Sequence, residues 1–209
     1  MGQVLALRDA QQLKPAFFSQ SKSAHSPDYR NFAVMTKDIL SKEDIENIIF
    51  RISIQILERN PNPSNLLIIG VKSRGDVLAK RLCEKIQSID KKEIQFSAID
   101  ITFYRDDVQL KAYKYVVKDD IPLGITDRDV VLVDDVIFTG RSIRAAIDAL
   151  MDLGRPKSIQ LAVLIARGGR ELPIQPDFVG KKIEDDIGSE VSVHLEEMDG
   201  EDKVSICQT

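Results

Sequence analysis

The sequence predicts an α/β fold: a central, mostly parallel sheet flanked by helices, followed by a smaller C-terminal region. Three observations predict it. Leu66 to Val71, Val130 to Val133 and Ile159 to Ile165 are short apolar runs with almost no polar interruption. Runs of that length without alternation suit strands buried on both faces. Stretches with helical periodicity stand between them, and a β-α-β-α order implies parallel strands joined by right-handed crossovers. After Gly168 the alternation gives way to short strands around Phe178, Val191 to Leu195 and Val204 to Ile206.

Residues 1–34 differ in character from the rest of the chain. Ser19 to Arg30 is polar and Ser-rich, and no stretch carries the charged start, apolar core and small-residue site of a secretory signal. A loosely ordered extension over 1–34 is expected, with one domain over 35–209; Met35 stands just before the first convincing helix. Ser41, with Glu43 and Asp44 behind it, reads as an N-cap with acidic first-turn residues. Ile45, Ile48, Ile49, Ile52 and Ile56 share one helical face, and Asn60-Pro61-Asn62-Pro63 ends the helix. After the Leu66 to Val71 strand come a helix over about Asp76 to Gln87 and a strand over Phe96 to Thr102. The Val130 to Val133 strand leads into Asp134. A helix from about Ser142 to Leu153 is closed by Gly154-Arg155-Pro156, and the Ile159 to Ile165 strand comes next. Tyr104 to Asp129 is long, charged and irregular, which in a compact domain points to a functional segment or a disordered one. Arg167 to Pro176 reads as a loop.

Composition excludes several function classes. No apolar run approaches the roughly 20 residues of a membrane span. A net charge of −4 gives no bulk push toward nucleic acid. Cys83 and Cys207 form no metal-type or CxxC spacing and suit a reducing cytoplasm, and two histidines, His25 and His194, make a His-built metal site improbable.

The informative passage is Val130-Val-Leu-Val-Asp134-Asp135-Val136-Ile137-Phe138-Thr139-Gly140-Arg141-Ser142. A strand runs into two adjacent acids, and a short loop then opens a helix. In open α/β sheets ligands sit beyond the carboxyl ends of strands. A helix N-terminus offers unpaired N–H groups to a phosphate, Gly140 lets the backbone approach it, and Thr139 and Ser142 add hydroxyls. Two carboxylates beside a phosphate need another partner, and vicinal sugar hydroxyls can donate to them. The passage therefore describes a site for a ribose 5-phosphate. No GxxxxGK[ST] or GxGxxG pattern supports a nucleotide-triphosphatase or dinucleotide reading.

This passage resembles the 5-phosphoribosyl-1-pyrophosphate (PRPP) motif of type I phosphoribosyltransferases. Leu67-Ile-Ile-Gly70-Val-Lys72-Ser73-Arg74-Gly75, Ile99-Asp100-Ile-Thr-Phe-Tyr104-Arg105-Asp106-Asp107, Gly154-Arg-Pro and Arg170-Glu-Leu-Pro173-Ile resemble the PyrR family. Those proteins are bacterial uracil phosphoribosyltransferases that also attenuate pyrimidine operons through RNA. The similarity runs from about Lys37 to the C-terminus.

The resemblance implies a type I phosphoribosyltransferase fold with a small C-terminal hood over about 167–209, and conversion of uracil and PRPP to UMP. The 5′-phosphate would lie on Val136 to Ser142, and the ribose on Asp134 and Asp135. Pyrophosphate would meet Lys72, Ser73, Arg74, Gly75 and Arg105, with Asp135 and Arg105 carrying catalysis. The base would lie against Arg167, Asp177, Phe178 and Val179. Tyr104 onward resembles the family's mobile loop, made aromatic here by Tyr113 and Tyr115. Mg²⁺ would bind through PRPP oxygens, with Asp134 and Asp135 nearby and Asp106 and Asp107 acting through water.

The chain also departs from the family. The hood usually reads acid-Arg-Gly-His-Arg-Glu-Leu-Pro; Ala166 and Gly169 replace the acid and the histidine, and Gln175 stands where a basic residue is expected. On the first helix, Phe50 and Ile54 occupy positions that are polar or basic in RNA-binding members, with Arg51 retained. Phe50 and Ile54 are neighbours four residues apart, roughly opposite the Ile48, Ile52, Ile56 face. That face is expected to pack on another subunit or on the N-terminal extension, so a homo-oligomer is expected and RNA is disfavoured as a partner. The alternatives left open are an RNA-binding sensor of UMP and PRPP, and a phosphoribosyltransferase for another base.

Overall fold

A computed structural model describes residues 35–102, 104, 124–184 and 189–208. The expectations for residues 1–34, and for Arg105, Asp106, Asp107, Tyr113 and Tyr115, lie outside the described residues. The large sheet is parallel and five-stranded: β2 (Leu66–Val71), β3 (Gln95–Ile99), β4 (Asp129–Ile137), β5 (Ser158–Arg167) and β6 (Phe178–Ile183), in the order β3-β2-β4-β5-β6. A three-stranded antiparallel sheet joins β1 (Met35–Leu40), β8 (Lys203–Gln208) and β7 (Ser189–His194) in that order. The remaining helices are α1 (Lys42–Arg59), α2 (Arg74–Asp90), α3 (Arg141–Leu153) and the short α4 (Glu196–Asp199).

Alternation along each buried strand sorts the core. Leu66, Ile68, Val131, Val133, Ala162 and Leu164 pack with α1 and α2 on one face. Leu67, Ile69, Val130, Leu132, Leu161 and Val163 pack with Ile143, Ala146, Ala149 and Leu150 of α3 on the other. Both faces of the sheet are covered, which is why its strands read as continuous apolar runs. Helix α1 starts where expected. The Ser41 hydroxyl accepts the Asp44 N–H at 3.2 Å and the Asp44 carboxylate accepts the Ser41 N–H at 2.9 Å, a capping box. Among the described residues no helix is long and apolar enough to cross a membrane.

Four elements differ from the sequence reading. Met35–Leu40 is a strand, because β8 supplies its partner from the other end of the domain, Met35 opposite Gln208 and Lys37 opposite Ile206. Strand β4 runs on through both acids to Ile137, carried by β5 pairing Asp134 with Val163 and Val136 with Ile165. Strand β3 stops at Ile99, where Asp100 turns back to accept from the Thr102 N–H and hydroxyl at 2.9 and 2.6 Å. Strand β6, within the stretch assigned to the hood, is an edge of the large sheet, Ala162 facing Phe178 and Arg167 facing Ile183.

Helix α1 reaches the backbone of β6, the edge strand, through one side chain. Arg51 donates to the Val179 and Gly180 carbonyls at 3.1 and 2.6 Å, and so blunts an otherwise open strand edge. Phe50, beside it, is 48% exposed, and Ile54 is half-buried.

Candidate active site

Three strand ends and one helix start meet at one edge of the sheet. Gly70 lies opposite Val133 and Val71 opposite Ile99. Extending that register, Lys72 falls level with Asp135 on one side and Asp100 on the other, and the Lys72 N–H donates to the Ile99 carbonyl at 3.0 Å.

Two glycines allow this. A Cβ on Gly70 would stand 2.3 Å from Asp76 Cα, and one on Gly75 would stand 2.4 Å from the Val133 carbonyl oxygen. Neither distance is tolerated by a side chain, so the pair lets the start of α2 rest on the backbones of β2 and β4. The Lys72-Ser73-Arg74-Gly75 turn, with a cis peptide between Lys72 and Ser73, is thereby held beside the acids.

Asp134 is 8% exposed and Asp135 half-buried. Asp134 accepts the Asp135 N–H at 3.0 Å, and Asp135 accepts the Val136 N–H at 2.7 Å. Burial pushes the Asp135 carboxyl above its ordinary value, opposed by its backbone hydrogen bond and by the Arg74 guanidinium. Asp100, across β2 from Asp135, is held below its ordinary value by its two Thr102 hydrogen bonds and, less, by Lys72.

Beyond the acids, the side chains of Val136 and Ile137 pack into the two cores, leaving their backbones facing the site. Gly140 takes φ 93° and starts α3 with no side-chain cap. The Thr139 hydroxyl accepts the Arg141 N–H at 3.4 Å; the first-turn N–H groups behind it have no side-chain cap and suit an anion, with Ser142 half-buried beside them.

The loop after β5 lies on this turn. The N–H groups of Glu171 and Leu172 donate to the Thr139 carbonyl at 3.0 and 3.2 Å, and Arg170 donates to the Phe138 carbonyl. Arg141 pairs with Glu171 at 2.7 Å. Sequence reading assigned no role to Arg170, Glu171 or Leu172 in shaping the turn; nothing in a local pattern reveals a contact to a carbonyl about thirty residues away.

The four expected base contacts separate. Arg167 donates to the Ser189 carbonyl at 2.7 Å and lies 4.6 Å over the Phe138 ring, at the site end of β5. Val179 faces Val163, itself opposite Asp134, and with Arg167 and Lys182 lines a cavity of about 310 Å³. Asp177 and Phe178 lie elsewhere. Asp177 accepts the Leu161 N–H at 2.8 Å and pairs with Arg59 at 2.9 Å. Phe178 is 4% exposed in the α1 core. Their partners Leu161 and Ala162 come four to five residues before Ala166, which faces Ile137. Relative to Val179 and Asp134, Phe178 and Asp177 stand one and two residues further from the site end of the sheet, and Phe178 is turned into the α1 core.

Among the described residues no group of three or more His, Cys, Asp or Glu stands placed to hold a metal ion. What the site offers a hard cation is the adjacent Asp134 and Asp135, so a cation would need oxygens from a ligand to complete its shell.

Comparison with known proteins agrees with this geometry. The phosphoribosyl transferase domain family matches residues 35–198. The bifunctional protein PyrR of Pelotomaculum thermopropionicum is 49% identical over 82% of this chain and 95% of its own length. That of Bacillus cereus AH820 is 49% identical over 80% and 95%. Among solved structures, a hypoxanthine-guanine phosphoribosyltransferase from Bacillus anthracis superposes with a TM-score of 0.62 at 17% identity, covering 84% of this chain and 98% of that one. The hypoxanthine phosphoribosyltransferase of Trypanosoma cruzi gives 0.62 at 18%, over 82% and 96%. At these identities the structures speak for the fold.

Proposed function

The chain belongs to the phosphoribosyl transferase domain family, in its PyrR branch, and on that basis we propose that it converts uracil and PRPP to UMP and pyrophosphate. The observation that carries the reading is the start of α3, with no side-chain cap from Gly140, three residues after a strand whose site end carries Asp134 and Asp135. A phosphate and a diol are the two chemistries that pair of features accepts together.

In this reading the 5′-phosphate sits on the backbone of Val136 to Ser142, whose shape is held by the loop after β5. The ribose hydroxyls donate to Asp134 and Asp135. Pyrophosphate lies against the Lys72-Ser73-Arg74-Gly75 turn, with Arg105 assigned to the same group. The uracil nitrogen N1 forms a bond to the sugar C1, the C1–O bond to pyrophosphate breaks, and that electron pair leaves with the pyrophosphate. The transition state resembles an oxocarbenium ion, so positioning and charge stabilisation outweigh a strong base. Asp135, raised by burial, is assigned the N1 proton, directly or through water. The base is assigned to Arg167, at the carboxyl end of β5, and to Val179, level with Asp134 across β5. The two adjacent carboxylates fit Mg²⁺ held mainly by PRPP oxygens; when bound it supplies neutralisation of the leaving group's charge.

The name bifunctional carried by the relatives supports a second reading, a nucleotide-sensing RNA-binding regulator. Against it, Arg51 is engaged on β6, and Phe50, Ile54, Gly169 and Gln175 remove polar or basic groups. A homo-oligomer belongs to the proposal and is supported by the exposed Phe50. Residues 35–209 form its working domain and 1–34 an extension, in a protein of the cytoplasm. The test is product formation from radiolabelled uracil, PRPP and Mg²⁺, with other bases alongside. UMP is expected; product from another base alone sinks the uracil assignment. Salt-sensitive, UMP-promoted binding to a pyrimidine leader transcript would restore the regulator.

A further inference from the structure

Helix α2 presents Arg74 and Arg81, two turns apart, to the short turn that holds α4. Arg81 grips Glu197 and Asp202, with Asp202 at 2.8 Å. Arg74 lies at the start of the helix, on the pyrophosphate side, and donates through Nη2 to Asp199 at 3.0 and 3.3 Å. The Asp199 carboxylate also accepts the Leu195 N–H at 2.9 Å, which fixes it on its own turn. Arg74 Nε is buried and has no hydrogen-bond partner among the described residues. A guanidinium is a flat fork, so fixing one nitrogen on an anchored carboxylate fixes the direction of the other N–H groups.

We propose that Asp199 is the positioning residue for Arg74, so that the turn between β7 and β8 is a working part of the pyrophosphate site. This rests on the assignment of the Lys72 to Gly75 turn to pyrophosphate. Asp199 touches neither sugar nor base; it acts by holding Arg74 with its Nε–H toward the leaving group. The sign of the effect separates this role from plain electrostatics. Removing a carboxylate near an anion site strengthens anion binding if charge alone matters, and weakens it if the carboxylate aims the guanidinium. Asparagine at 199 keeps one oxygen and gains an NH2; with the oxygen on the Leu195 N–H, the NH2 stands donor against donor where Arg74 donates at 3.0 Å, and turned the other way it faces the Leu195 N–H.

The test is calorimetric binding of pyrophosphate with Mg²⁺, and separately of UMP, to the full chain and its variants. Asp199→Asn is expected to weaken pyrophosphate binding by about 5- to 10-fold, the scale of one ordinary hydrogen bond because the guanidinium loses its aim and keeps its charge, and to leave UMP binding within about twofold. Asp199→Glu is expected to recover most of the loss. Glu197→Gln, which loosens Arg81 on the same turn, is expected to leave pyrophosphate binding unchanged. Unchanged or tighter pyrophosphate binding in Asp199→Asn overturns the proposal if Arg74→Ala abolishes binding. If Arg74→Ala itself binds pyrophosphate normally, the assignment of the Lys72 to Gly75 turn fails instead, and the proposal with it. A drop in UMP and pyrophosphate binding together, or in Glu197→Gln as much as in Asp199→Asn, marks Asp199 as a structural residue and also overturns it.

Discussion

A Cβ placed on Gly75 would stand 2.4 Å from the carbonyl oxygen of Val133, backbone against backbone with nothing flexible between them. Gly75→Ala must therefore push the start of α2 off β4, carrying the Lys72 to Gly75 turn away from Asp135. The expected result is a loss of about 10- to 100-fold in kcat/KM for PRPP, the scale of an ångström-sized misplacement. Steady-state kinetics beside a thermal melt checks it; wild-type kinetics in Gly75→Ala would show that the turn is not held by this contact.

Gly169 and Phe138 make a second such pair. Gly169 has φ 86°, and a Cβ there would stand 2.5 Å from the Phe138 ring. Gly169→Ala is expected to cost about 1–2 kcal/mol, from the left-handed backbone and the ring contact together. Adding Phe138→Leu should return only the ring part. Denaturant melts of the single and double variants read the split, and full recovery in the double variant would rule out the backbone share.

Asp202 sets an acid limit on stability. Its side chain is 2% exposed and that of Arg81 16% exposed. Burial alone would raise the Asp202 carboxyl; the bond from Arg81 and the Glu196 N–H outweigh it and hold the carboxyl below its ordinary value. A depressed value means the stabilisation is complete above the ordinary carboxylate range and is lost as pH falls through the lowered folded value. Asp202→Asn is expected to cost about 2–3 kcal/mol at pH 7, the lower end for breaking a buried pair because Arg81 keeps Glu197. The gap between the two proteins should narrow as pH falls. Melts between pH 7 and 3 check this; a gap that widens toward acid contradicts the assignment.

The two thiols should react at very different rates. Cys83 is buried, and burial, with a smaller push from Glu84, drives its thiol up to about 12. Cys207 on β8 is half-exposed. Since the thiolate is the reactive form, a disulfide reagent at pH 8 should modify Cys207 in the folded protein and reach Cys83 only after denaturation. Equal rates for both would show that the α2 core opens readily.

Much of the site was legible in the chain because its parts are neighbours in sequence. Val130 to Ser142 carries strand, acids, turn and helix start in thirteen consecutive residues, and the short-range rules for buried strands and helix starts act within such a span. The placement of Asp177 and Phe178 was not legible, because a Pro-Asp-Phe stretch at the start of a strand says nothing of which end of that strand faces the site. Their height is set by the register of β6 on β5, a pairing of Phe178 with Ala162 that no local pattern encodes.

Local sequence was enough for the alternation of strand and helix, the two-faced burial of the parallel strands, and the juxtaposition of Asp134, Asp135 and the α3 start. These arise from periodicity, turn chemistry and a few adjacent residues. It took the folded chain to settle that Met35–Leu40 closes a small sheet with β8, that the loop after β5 bonds the Phe138 and Thr139 carbonyls, and that Asp199 meets Arg74. Each of those joins residues about thirty to more than 170 positions apart, where the partner's backbone and burial, more than either segment's own preference, determine the outcome.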